Sequence, residues 1–275
     1  MLHRGKRGFS GALLIAIILV LVVALAGAYY VWANYMQGLT GSGNLISRQF
    51  TVPGFTSVQA EDAFTVNITY ADYFMVRVTT DDNIMERIDV TSVNGTLHVG
   101  VSQGTPIARV TALKLEIYMP AVTGIVFSGA TNGDLSGFPM QTRVTIMLSD
   151  ASSLNVTQAV VGSFSASLSN GSVLRGYITC GGGVPSSFML SGGSCVNLSG
   201  IGGDITIDAS GGSSLELLGM AADDVSATMS GGSSARVNLD GVLNANLSGG
   251  SSLRYTGSPT MGSIVLAGGS SVNPM

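Results

Sequence analysis

The chain has 275 residues, of which only 10% are charged, and its 12 basic and 16 acidic side chains leave a formal net charge of −4. Roughly a quarter of an average soluble domain is charged, so this chain excludes the broad basic face that nucleic-acid binding needs. Its two histidines likewise exclude histidine-based triads and the usual zinc sites. With 45% hydrophobic residues and 38 glycines, the expected product is a packed body whose surface is made of hydroxyls, amides and backbone.

In chain order, residues 1–10 carry the only basic cluster, Arg4, Lys6 and Arg7, and are expected on the cytoplasmic side. Residues 11–33, "GALLIAIILVLVVALAGAYYVWA", hold no charge and are long enough to cross roughly 30 Å of hydrocarbon as a helix. The positive flank, with Tyr29, Tyr30 and Trp32 at the far end, predicts a transmembrane signal anchor with the body outside the cell membrane as a single-pass protein. A cleaved secretory signal using "ALA" at 24–26 is one rival. A prepilin-type signal around "KRGFSG" is another, and all three readings export the rest of the chain. Ala24 and Ala28 lie four apart, a spacing that helps two such helices pair. Residues 34–44, "NYMQGLTGSGN", read as the linker.

Residues 45–120 are strand-like: "FTVNITYADYFMVRVTT", "IDVTSV", "TLHVGV" and "LKLEIYMP" alternate or run apolar, and Asn94-Gly95 is a hairpin or tight-turn signal. "DDNIMERI" can make a turn of helix. This segment reads as the irregular entrance to the body that follows, with a separate small β-domain as the alternative.

From residue 121 to 275 the sequence repeats. With the residue that opens each "SGGSS"-like cluster as position 0, these residues are Ser128, Ser149, Ser169, Ser191, Ser210, Ser230, Ser248 and, degenerate, Ala267. The period is near 20 residues, and a flexible linker does not hold a period. Positions −1 and −3 are apolar, as in Leu148 and Ile146 or Leu190 and Phe188, with small polar residues between them. After the cluster, positions +5 and +7 are apolar, as in Leu215 and Leu217 or Ala235 and Val237. This alternation marks strands with one buried face, so each repeat is strand, Gly-Gly corner, strand and looser return. Twenty residues bury too little alone, but stacked coils share apolar ladders. The fold expected is all-β, a right-handed parallel β-helix of about 20 residues per coil preceded by one transmembrane helix, with corner serines passing hydrogen bonds from coil to coil.

The order "GFTSVQAEDAFTVNITYADYFMVRVTTDDNIMERIDVTSVNGTLHVGV", then "LKLEIYMPAVTGIVFSGATNGDLSGF", then serine-glycine repeats resembles the auto-transporter adhesin, head GIN domain family of prokaryotes over roughly residues 50–270. The resemblance implies an exported β-helix with a surface role and transfers no catalytic residue. The expected function is therefore a membrane-anchored, non-catalytic structural or adhesion module, without a cofactor. Its expected partners are the membrane and cell-surface glycans or proteins, not nucleic acid.

Against that stand two alternatives. Asp204 and Asp224 both fall at position −6, with Asp208 and Asp223 nearby. Stacked about 4.8 Å apart, such carboxylates approach the separation used by retaining glycosidases, which allows a carbohydrate-active lyase or hydrolase, or a weak calcium site. Alternatively, Leu266 and Val272 in the last coil leave an end suited to self-association. The outward column at +6, Arg175, Asn197, Glu216, Arg236 and Arg254, is the most groove-like polar stripe and the first place to look for a ligand; a solvated strand face is its plain alternative. His98 reads as a lone strand residue. Sequons at Asn67, Asn94, Asn155, Asn170, Asn197 and Asn246 allow glycosylation. Cys195 is expected to stack near position 175, five residues from Cys180, too far for a disulfide without the chain folding back.

Overall fold

Because successive side chains of a strand point to opposite faces, the alternation on either side of each corner yields two ladders of strands with an apolar core between them. The computed structural model describes residues 20–27, 29, 38–52, 54–102, 107–181 and 185–275. The expected membrane segment 11–33 lies mostly outside the described residues; its described part, 20–27 and Tyr29, is helical. No helix among the described residues is long and apolar enough to cross a membrane.

In the ladder that precedes the corners, Ser57–Ala60 pairs in parallel with Gly124–Phe127, Val58 lying opposite Ile125. The register then runs from Ile125 to Ile146, Ala166, Phe188 and Ile207 in successive coils. In the ladder that follows the corners, Leu154 lies opposite Leu174, then Val196, Leu215, Ala235 and Leu253. All of these are buried and together form one continuous core. Gly133 is the exception that fits: it stands in the same apolar column, and a Cβ there would lie 2.3 Å from the ring of Phe127, which fills its place. The return segment is more regular than expected in three coils. There Ser153–Leu168, Cys195–Ala209 and Ser214–Met229 run as single long strands from one ladder into the other, with register shifts where they bend. Together these ladders make an all-β solenoid.

Every corner holds two consecutive residues in the left-handed region, for example Gly211 at φ 64° and Gly212 at 76°. The two glycines are not equivalent. A Cβ on Gly211 would lie 3.0 Å from the backbone nitrogen of Gly192 in the preceding coil, whereas one on Gly212 would meet nothing within 4 Å. The first glycine therefore permits close stacking and the second only the dihedral. At position +3 of most corners a buried hydroxyl donates back to the position 0 carbonyl, at 2.7 Å from Ser213 to Ser210 and 2.8 Å from Ser233 to Ser230, whereas the buried Ser152 hydroxyl has no partner. The buried serine thus closes its own corner, and the expected coil-to-coil bonds fall mainly to its neighbours. Contacts between coils come from the next residue, Ser153 Oγ donating to Asn132 Oδ1 at 2.7 Å and Ser234 Oγ to Ser214 Oγ at 3.3 Å.

Residues 45–119 join the same sheet out of sequence order. Ser57–Ala60 and Thr65–Tyr70 form one coil, and Thr96–Val101 and Leu113–Met119 stack on its outer side, although they come later in the chain. Two antiparallel additions finish this end. Ile88–Val93 folds back on Thr96–Val101 through Asn94 and Gly95, at φ 52° and 76°, as a two-residue hairpin requires. Met75–Asp81 and then Leu45–Phe50 extend the other ladder. The short helix Asp82–Met85 covers the core with Ile84 and Met85, both fully buried. At the opposite end, Thr260–Leu266 and Ser271–Pro274 have no further strand beside them among the described residues.

Residues 38–44 of the expected linker are docked on this capped end. The buried Asp81 carboxylate accepts from the Thr111 N–H at 2.8 Å, the Thr111 hydroxyl at 2.8 Å and the Gly43 N–H at 2.7 Å. Asp82 accepts from Ser42 and Asn44. The Thr111 N–H, opposed by burial and aided by the Thr111 hydroxyl and Gly43 N–H, holds the Asp81 carboxyl below the ordinary carboxylate range. The Ser42 and Asn44 side chains do the same for Asp82. A depressed folded-state pKa contributes stability that is present above the unfolded value near 3.9 and lost as pH falls through the folded value. Protection against amide exchange at residues 39–44 and 107–111, taken relative to the unstructured chain at the same pH, is therefore expected to fall below about pH 4, ahead of the repeat coils, and an Asp81→Asn variant is expected to show that loss of protection already at neutral pH. Unchanged exchange in the variant would mean that the latch does not hold these segments.

Candidate functional site: an outward polar ladder

Alternation that buries Leu215, Ala235 and Leu253 must turn their neighbours outward. Positions +4 and +6 thus form two outward columns on the ladder that follows the corners. In the +6 column the register places Arg175 opposite Asn197, Asn197 opposite Glu216, Glu216 opposite Arg236 and Arg236 opposite Arg254. All five residues singled out in the sequence are brought into one line. The same line continues through Asn155, Asp134, Asn67 and Glu116 to Arg77. Asn155 and Asp134 keep the +6 position of the repeat, but the step on to Asn67, Glu116 and Arg77 is hidden in the sequence because the entrance strands carry no repeat motif and stack out of order.

Along this line, Arg236 donates to Glu216 Oε2 at 2.9 Å, and Arg77 lies 3.5 Å from Glu116. Both pairs are partly exposed, so each contributes little to stability. A cavity of about 330 Å³ opens over Ser214, Ser234 and Ser252 on one side and Glu216, Arg236 and Arg254 on the other. A smaller one, about 170 Å³, lies between Asn67, Thr69, Glu116, Tyr118, Asp134 and Ser136. Beside it Tyr118 stacks on Tyr73 with ring centroids 6.0 Å apart.

The aspartates of the enzymatic alternative sit elsewhere, at the return bends, and act on backbone. Asp204 Oδ1 accepts from the Asp224 N–H at 3.3 Å, and Asp224 Oδ1 accepts from the Val242 N–H at 2.6 Å. Asp240 repeats the arrangement with the Ser258 N–H at 3.0 Å. Each carboxylate thus satisfies an amide of the next coil where the ladder is interrupted. Asp208 lies in the other ladder, opposite Met189 and Thr228, on its outer face. No group of three or more metal-ligating side chains occurs among the described residues. His98 faces outward opposite Thr91 and Gln59.

Cys195 pairs with Val173, not with position 175, so it stands seven residues along the coil from Cys180. Cys180 is buried against the Ser186 hydroxyl at 3.1 Å, and burial pushes its thiol up from the ordinary value. Of the sequons, Asn67, Asn155 and Asn197 lie within the +6 line, Asn94 and Asn170 occupy turns at positive φ, and Asn246 is exposed on the other ladder.

Solved structures resemble this fold closely. A protein described as a "putative adhesin" from Parabacteroides merdae superposes with a TM-score of 0.77 at 16% identity, over 86% of this chain and 98% of its own. One described as a "putative lipid binding protein" from Parabacteroides distasonis gives 0.74 at 16% identity, over 86% and 99%. A further "putative adhesin", from Bacteroides fragilis, gives 0.60 at 20% identity, over 86% and 100%. At these identities the likeness is one of fold. No curated protein matches the chain. The family model described as "Putative auto-transporter adhesin, head GIN domain" matches residues 54–181 and 186–259, and with most of its ladders and corners inside those bounds, the chain belongs to that family.

Proposed function

We propose that this chain is a non-catalytic surface module that presents the outward polar ladder to glycans or proteins, held to the cell membrane by residues 11–33. The observation that carries the reading is the ladder itself: polar side chains in register from Arg77 to Arg254, on strands that pair in parallel except at the antiparallel step from Glu116 to Arg77. The engagement of Asp204 and Asp224 with backbone amides supports a structural task for those carboxylates. Membrane attachment rests on the uncharged run, its basic flank and its aromatic end. The rule that parallel strand crossovers are right-handed supports that hand for the coils. The full chain in detergent micelles, applied to a glycan array and used in pull-downs from outer-surface extracts, is expected to retain specific ligands. Turnover of a surface polysaccharide that disappears in Asp224→Ala would overturn this reading in favour of an enzyme.

A second reading, a self-associating scaffold, is favoured by the uncovered end. Val265 and Leu266 are 54% and 46% exposed on the edge strand there, and unpaired edges recruit further strands. Sedimentation of the full chain, compared with Leu266→Lys, separates the two readings: association that the lysine abolishes supports the scaffold.

A further inference from the structure

The larger cavity holds an arrangement that stability alone does not explain. Arg236 and Arg254 lie directly opposite each other on neighbouring parallel strands, where like charges repel. In a chain with 12 basic residues, that juxtaposition is conspicuous. Glu216 compensates Arg236 at 2.9 Å, but Arg254 has neither an ion pair nor a hydrogen bond among the described residues. Glu216 Oε1 is buried without a partner, so the protein leaves both a cationic donor and an acceptor unmatched at one place.

The opposite wall is a row of hydroxyls, Ser214, Ser234 and Ser252, two residues back along each strand and hence roughly 7 Å away. The floor is Leu215 and Ala235, each 1% exposed, which offers no apolar pocket for a peptide side chain. A guanidinium fork matches a carboxylate in a bidentate fashion, and serine hydroxyls donate and accept, as sugar hydroxyls also do. About 330 Å³ is at the small end of ligand sites and suits one or two sugar rings.

Building on the surface-module reading, we propose that this cavity binds an acidic saccharide, with Arg254 holding the carboxylate of a uronic acid unit and the Arg236–Glu216 pair and the serine row holding its hydroxyls. The ladder then has a charge-selective subsite in the three coils of Glu216, Arg236 and Arg254.

The test is calorimetric titration of the full chain in detergent micelles with a galacturonate trisaccharide, the neutral galactose trisaccharide and sodium sulfate. The uronate is expected to bind at least about tenfold more tightly than the neutral sugar, and Arg254→Ala to weaken it about tenfold or more, the range for a lost charge-assisted pair. Arg254→Lys is expected to keep part of the affinity, and Arg143→Ala, at an exposed position on the other ladder, all of it. Added salt is expected to weaken binding. Arg254→Ala should fold with an unchanged or higher thermal midpoint, since it relieves a like-charge contact. Equal binding of neutral and acidic sugars, sulfate displacing the uronate at equal concentration, or full affinity in Arg254→Ala would each overturn the proposal. If the Arg254→Ala chain still retains its array or pull-down ligands, the surface-module reading stands without this subsite; if the unaltered chain retains none, both fall.

Discussion

Replacing Phe188 with alanine is expected to destabilise the folded body by about 3–5 kcal/mol. Phe188 is fully buried in the column before the corners, between Ala166 and Ile207, and its ring centroid lies 5.8 Å from that of Phe164. Truncation removes most of a ring's worth of buried surface, and the small Ala166 on one side cannot fill the space. The strands cannot collapse into it either, because their spacing is fixed by backbone hydrogen bonds on both sides. Since each coil touches only its neighbours, the loss also uncouples the coils on either side, and the urea transition should broaden as it shifts to lower concentration. Met189→Ala, at an outward position 47% exposed, is the matched control and is expected to change stability by less than about 0.5 kcal/mol. Similar effects from the two variants would show that the apolar column is not packed as a core.

The second large effect is expected from Gly176→Ala. Gly176 sits at φ 135° where the strand Val173–Cys180 shifts register against the preceding coil, and a Cβ there would lie 1.9 Å from the Val156 carbonyl oxygen. That oxygen belongs to the backbone and cannot swing away, so the coils must part locally. The combined strain and overpacking should cost roughly 3 kcal/mol or more. Gly193→Ala tests the dihedral alone: at φ 75°, its added Cβ meets nothing within 4 Å, and the expected loss is about 1 kcal/mol. Chemical denaturation of both variants decides the matter, and equal losses would mean that close approach between coils is unimportant at Gly176.

The repeat was legible because burial and corner geometry each leave a mark in composition: apolar residues at −3, −1, +5 and +7, and glycine where φ is positive. Legibility ended where other residues do the same work. Asp62-Ala63 and Asp150-Ala151 are corners at φ 66° and 62°, and at 55° and 62°. Asp150 stands within the periodic array and was found by its spacing. The Asp62 corner lacks both glycine and the serine closure, having Phe64 at that place, and is visible only in its pairing with the next coil. The Asn94-Gly95 hairpin could be read locally, but nothing local says that its second strand stacks outside Ser57–Ala60. The Asp81 latch was missed because its partners, Gly43 and Thr111, lie 38 and 30 residues away. The ladder at Glu216, Arg236 and Arg254 followed from strand alternation alone, whereas its continuation to Arg77 required the actual stacking order.

That stacking order has a consequence for how the chain acquires its structure. In the repeats, each strand waits for a partner about 20 residues away, so closure is local and can spread from any coil. At the entrance, Thr56 must wait for Thr123, 67 residues later in the chain, and Ser57–Ala60 is flanked on both sides by strands that are made after it. Non-local closure of this kind is slow. A chain delivered amino end first is therefore expected to order its glycine-rich coils early and to seal its first-made end last, so that the oldest part of the polypeptide is the youngest part of the fold.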